Sequence, residues 1–316
     1  MVDTTRLVGD VGATNARFGL VSPDGKLLHS SSFAITDFAT IGAAVTAYLA
    51  QRGTLPAPRI GALAVAGPVG GDQVRMTNHP WSFSIAALRG RFGLERLVAI
   101  NDFTAVALAL PRLTAGDRMA VGGGAPVEGR PIGVLGPGSG LGVSGLIPAG
   151  SGWVPLAGEG GHVTMAAANE RESAVLELMR RGFDHVSAER CLSGPGLVNL
   201  YNSLAALDRV PSAPYTAAQI TDTETAARDP LCREATAMFC AMLGTVAGDL
   251  ALTLGAQGGV YIAGGIVPRL GARFVESGFR QRFEAKGRLS THLAAIPSYV
   301  VTHPLPAFLG CVAALS

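Results

Sequence analysis

Charge is scarce in this chain of 316 residues: Asp, Glu, Lys and Arg make up 15% of it, and 25 basic against 23 acidic side chains leave a formal net charge of +2. No basic run stands ready to neutralise a series of phosphates, so nucleic acid is not expected as a partner. Cysteine is scarcer still. Cys191, Cys232, Cys240 and Cys311 lie far apart and form no CxxC, which argues against a disulfide framework or a thiolate zinc site and fits a reducing cytoplasm. The N-terminal residues lack a basic segment followed by an apolar stretch and cleavage site, so no export signal is expected. The most apolar long segment, 231–256, carries Arg233, Glu234 and Asp249, which favours a core helix over a membrane span. Neither GxxxxGK[ST] nor a strand-to-helix GxGxxG occurs, and P-loop and dinucleotide folds find no support.

What the chain does have is apolar surface and glycine. Hydrophobic residues make up 48%, enough for one large core or two ordinary ones, and 42 glycines call for tight turns and close backbone approaches. Short strands are expected at 7–9, 17–21 and 26–33, joined by the turn 10–15 and by the Asp24-Gly25 hairpin signal. A helix over 38–51 then precedes the apolar run 60–66, which predicts a crossover onto a parallel strand. A second strand, glycine turn, strand unit recurs at 132–135, 136–142 and 143–147, so a duplicated architecture of two lobes facing a cleft is expected. Beyond residue 168 helices dominate. A capping box is read at Asn169 and Glu172, a long core helix at 235–254, a strand at 260–263, and a closing helix at 307–315 that packs back on the first lobe.

Successive backbone N–H groups in a glycine turn can point into one concavity that accepts phosphate oxygens. Each turn alone also reads as a plain hairpin; together, with the hydroxyls of Thr14 and Ser139, they favour phosphate. Asp10, beside the first turn, is placed to hold Mg²⁺ directly or through water, or else to close an Asx turn. Asn101-Asp102 follows the apolar run 97–100, where a buried strand emerges. There a carboxylate can take a hydroxyl proton in phosphoryl transfer, or can cap the helix that follows. Glu159 and His162, with Glu189 further on, suit the neighbouring hydroxyls of a sugar, zinc being the rival ligand. Asn78, in the turn before Pro80 and Trp81, is a weaker candidate. His29, His185, His292 and His303 have no constellation around them.

Seven stretches together are similar to the bacterial glucokinases of the non-repressor type, over nearly the whole chain: LVGDVGATNAR (7–17), MTNH (76–79), INDFTAV (100–106), GPGSGLGV (136–143), GEGGHV (158–163), LSGPGLVNLY (192–201) and AGGIVPR (263–269). The resemblance implies the two-lobed actin-like ATPase α/β fold, ribonuclease H-like, each lobe a mixed sheet flanked by helices. The small lobe would be 1–112 plus 303–316, the large lobe 113–302, with the active site in the cleft between them. It implies transfer of the γ-phosphoryl group of Mg-ATP to the 6-hydroxyl of glucose, with Asp102 as base. Asn78, Asn101, Glu159, His162 and Glu189 would bind the sugar. Asp10, Gly12, Ala13, Thr14 and Asn15, with Gly138, Ser139 and Gly140, would hold the phosphates, and Gly264 and Gly265 would approach the adenosine. A homodimer through the large lobe is implied as well. Ala13 and Pro137 depart from the usual pattern. Ala13 matters only where positive φ is needed, and Pro137 removes one N–H donor. A kinase of another hexose, or a non-catalytic sugar sensor on the same fold, is the alternative.

Overall fold

The computed structural model describes residues 5–77 and 79–316, so Asn78 lies outside it. The chain divides into two compact units. One comprises residues up to Thr114 with Pro155–Ala157 and His303–Ser316; the other comprises Ala115–Val154 and Gly158–Thr302.

The first unit holds strands β1 (Arg6–Val11), β2 (Asn15–Val21), β3 (Leu27–Ala34), β4 (Ile60–Val65), β5 (Gln73–Arg75), β6 (Ser82–Ser84) and β7 (Arg96–Asn101). Its main sheet has the order β3-β2-β1-β4-β7, antiparallel through β1 and parallel from β1 to β4 to β7. The crossover from β3 to β4 uses helix α1 (Ile41–Ala50), shorter than the expected 38–51 because Thr40 caps it and a separate helical turn occupies Ile35–Asp37. Helices α2 (Ile85–Arg91) and α3 (Asp102–Ala109) flank β7. The closing helix, Pro306–Ala314, packs against α3 and the sheet: Phe308, Cys311 and Val312 share a buried cluster with Val8, Ala62 and Ala105.

The second unit repeats that topology. Its strands are β8 (Arg118–Val121), β9 (Ile132–Pro137), β10 (Leu141–Ala149), β11 (Gly152–Ala157), β12 (Val260–Ile262) and β13 (Ser298–Val301). The order β11-β10-β9-β12-β13-β8 matches the first sheet strand for strand apart from the extra edge strand β8. Again a glycine-turn hairpin is followed by two parallel neighbours. The sequence reading of a duplicated pattern thus corresponds to a repeated strand order.

Helices α4 (Glu170–Arg180), α5 (Ala188–Cys191), α6 (Gly194–Asp208), α7 (Ala217–Thr221), α8 (Thr223–Arg228) and α9 (Pro230–Leu254) supply most of the second core. By length and composition α9 is apolar enough to cross a membrane. Its face bearing Phe239, Leu243, Ala247 and Ala251 is instead buried against Phe279 and Phe283, so it is the core helix that its internal charges suggested. At α4 the capping box forms in part. Asn169 caps through Glu172 N–H, but the Glu172 carboxylate turns to Ala168 N–H and to Arg282, whose guanidinium it meets at 2.6 and 3.1 Å. That cation outcompetes the backbone N–H of Asn169 for a carboxylate removed from water.

Candidate active site

In the first unit the β strands run further into the glycine turn than their sequences suggested, placing Asp10 inside β1 directly opposite Arg17 of β2. Their side chains form an ion pair at 3.4 Å. Burial holds the Asp10 carboxyl above the usual carboxylate range, and the Arg17 cation pulls it only part of the way back. The Asp10 carboxylate is thus directed across the sheet to Arg17 rather than into an Asx turn. The turn is closed by backbone, from Gly12 N–H to Asn15 C=O at 3.0 Å. Ala13 is not among the residues with positive φ, so the absence of glycine there brings no strain. Thr14 and Asn15 are exposed beside it.

At the end of β7 the capping role falls to Asn101. Its backbone is extended, φ −61° and ψ 148°, and its Oδ1 accepts from the N–H groups of Phe103 and Thr104 at 2.9 and 3.0 Å. Asn101 Nδ2 donates to Gly67 C=O at 3.2 Å, which fixes the chain leaving β4. Asp102 is therefore the first helical residue and does not carry the cap. Its Oδ1 lies 2.9 Å from Phe103 N–H. Next to the undescribed Asn78, His79 accepts from Trp81 N–H at 3.3 Å, and the buried Trp81 indole donates to Phe38 C=O.

In the second unit two cavities flank the β9–β10 turn. A cavity of about 280 Å³ is lined by Gly138, Ser139 and Gly265, together with Gly194, Leu197, Ala217, Ala218, Ile266 and Arg269. Backbone amides and one hydroxyl on one side and apolar side chains on the other suit a phosphate tail and a flat base. Gly264 does not line it. With φ +80°, Gly264 lies where a Cβ would overlap the backbone carbonyl of Pro137, so glycine is required there by packing. Pro137 itself ends β9, and its C=O accepts from Ile266 N–H.

A second cavity, of about 290 Å³, is lined by His162, Phe183, Asp184, His185, Ser187, Glu189 and Arg190. It brings together His162 and Glu189. Glu159 stands exposed at the head of the turn Gly160–His162, its C=O accepting from His162 N–H at 3.0 Å. His185, read from sequence as isolated, lines the same cavity and meets the Thr164 hydroxyl at 3.0 Å. Among the described residues no three His, Cys, Asp or Glu side chains converge as a metal site, so the zinc alternative for Glu159, His162 and Glu189 gains nothing. Imidazole and carboxylate facing a polar cavity are suited to hydroxyl groups.

The family model for glucokinase matches residues 7–316. The chain belongs to the glucokinase family. The glucokinase of Aromatoleum aromaticum is 53% identical over 311 residues, 98% of this chain and 94% of its own length. The glucokinase of Paramagnetospirillum magneticum is 54% identical over 305 residues, 96% and 95% of the two chains. A crystal structure of glucokinase from an Antarctic psychrotroph shares 35% identity and superposes with a TM-score of 0.88, each chain covered to 98%. The expected actin-like α/β fold, built on two mixed sheets, is thus the fold of this glucokinase-family chain.

Proposed function

We propose that this protein transfers the γ-phosphoryl group of ATP to the 6-hydroxyl of glucose, giving glucose 6-phosphate and ADP. The family match over nearly the whole chain supports the reaction. The observation that carries the assignment of the base is the position of Asp102 as the first residue of α3 at the end of β7, with Asn101 providing the helix cap. In this reading Asp102 takes the 6-hydroxyl proton as that oxygen bonds to the γ-phosphorus and the bond to the bridging oxygen of ADP breaks. General-base help of this kind is worth about 10² to 10⁴ in rate.

Glu189, His162 and Glu159 hold sugar hydroxyls in the second unit; Asn101 and Asn78 are sugar ligands by the resemblance to bacterial glucokinases alone. Ser139 and Gly140 direct backbone and hydroxyl donors at phosphate, and Ala13 to Asn15 do the same in the first unit, while the Gly138 and Gly12 N–H groups close their own turns onto Gly140 C=O and Asn15 C=O. Asp10 would hold Mg²⁺, directly or through water; when bound, that ion supplies charge neutralisation for the phosphates. Leu197, Ala217 and Ile266 give the adenine an apolar wall beside Gly265. The four free, buried cysteines support a reducing cytoplasm. A homodimer through the second unit carries over from the resemblance to bacterial glucokinases.

The test is a coupled assay of ADP formation with ATP against a panel of hexoses. Glucose-dependent turnover that collapses in Asp102→Asn, with glucose still bound by calorimetry, is the expected result. Turnover confined to another hexose would replace glucose, and near-normal kcat in Asp102→Asn would remove that carboxylate from the mechanism.

A further inference from the structure

One carboxylate ties the cavity of His162 to the glycine turn that lines the cavity of Ser139. Glu189 lines the cavity that holds His162, yet its Oε2 accepts from Leu141 N–H at 2.8 Å, at the residue where the glycine turn becomes β10. A Cβ on Gly140 would overlap the same carboxylate, so the turn's glycine makes room for Glu189. The segment that carries Glu189 grips the turn a second time. Glu189 C=O accepts from the Ser193 hydroxyl at 2.8 Å, Ser193 caps α6 through Gly196 N–H, and Gly194 N–H donates to Gly138 C=O at 2.8 Å. Gly138 and Gly194 both line the other cavity.

We infer that Glu189 is a positioning residue for the phosphate turn as well as a sugar ligand. Its Oε2 sets the Gly138-Ser139-Gly140 backbone, and its Oε1 is left for a sugar hydroxyl. The inference rests on the proposed nucleotide and sugar assignments. A hydroxyl that donates to Oε1 withdraws charge from Oε2 and shifts the carboxylate, so sugar occupancy is felt at the amides that meet phosphate. One side chain thereby couples the two substrates without contacting the nucleotide.

The test is binding of ADP to the full-length protein with no sugar present, measured by calorimetry. Losing a charge-assisted bond to a partly buried N–H predicts ADP affinity lower by about tenfold in Glu189→Ala. Glu189→Gln keeps an acceptor for Leu141 N–H, and ADP affinity within about twofold of the unaltered protein is expected. Glu189→Asp keeps the charge but falls short of Leu141, so it matches the alanine variant and serves in its place if that variant does not fold, as judged by circular dichroism. Unchanged ADP affinity in the folded Ala or Asp variant overturns the inference, as does an equal loss in Glu189→Gln. If the unaltered protein binds no ADP, the nucleotide assignment fails and takes this inference with it. Intact binding with no loss in the variants sinks the inference alone.

Discussion

Burial works against the charge on Asp10, and the consequence depends on pH in a definite direction. Its carboxyl is held above the usual range in the folded protein, chiefly by desolvation and against the pull of Arg17. A raised carboxyl stabilises the fold below the unfolded value and loses that contribution as pH rises through the folded one; above it, the ionised group is a standing penalty. Asp10→Asn is therefore expected to raise the melting temperature of the ligand-free protein at pH 8, by a margin that shrinks toward pH 5, and, on the Mg²⁺ role proposed for Asp10, to lower activity. A melting temperature that falls at pH 8 would show that the Arg17 ion pair outweighs desolvation. The neighbouring pair behaves differently. Asn101→Ala removes the acceptor for two N–H groups and leaves Gly67 C=O without its amide. A loss of about 1 to 2 kcal/mol in denaturant unfolding is expected. A lower kcat should accompany it, with ADP affinity unchanged, since the tilt of α3 sets where the Asp102 carboxylate points.

At the level of elements, two adjacent glycines after β12 separate packing from function. Gly264 has φ +80° and faces the Pro137 carbonyl, whereas a Cβ on Gly265 meets nothing within 4 Å and would enter the cavity beside Ser139. Gly264→Ala is expected to cost more than about 1 kcal/mol of stability. Gly265→Ala should melt like the unaltered protein and show a raised KM for ATP. Equal stability of the two variants would contradict the packing role. The strands around these turns were readable from alternation and glycine spacing, and so was the repeated hairpin. Which of two consecutive polar residues caps α3 was not, because Asn101 and Asp102 both suit the position and only the extended backbone at Asn101 decides. The tie from Leu141 to Glu189 spans 48 residues, and the cavity walls at Gly194, Ala217 and Ile266 come from three separate segments. No local pattern marks such contacts, which arise when the helices of the second unit pack. His185 illustrates the same limit, since its company in the cavity is supplied by Glu189 and His162 through tertiary folding.

Over the whole chain, each unit has a core of its own, and each contains one of the two tryptophans. The first unit buries Trp81 with Phe18, Tyr48 and Leu63, while the second gathers Phe239, Leu243, Phe279 and Phe283 around α9, with Trp153 on β11. Within the second core lies a charge pair with little access to water: Glu172 is 2% exposed and Arg282 16%. Removing one partner of such a pair strands the other, at a typical cost of about 3 to 5 kcal/mol, while replacing both by apolar groups is often neutral. Arg282→Met leaves the Glu172 carboxylate with Ala168 N–H and the Asn169 amide but no cation. Unfolding should therefore be followed twice, once in a Trp81→Phe background that reports Trp153 and once in a Trp153→Phe background that reports Trp81. Separate cores predict that Arg282→Met lowers the denaturant midpoint read by Trp153 and leaves that read by Trp81 in place. Because chains of more than one folding unit need not unfold in a single step, a parallel fall of both midpoints would mean that the second core supports the first.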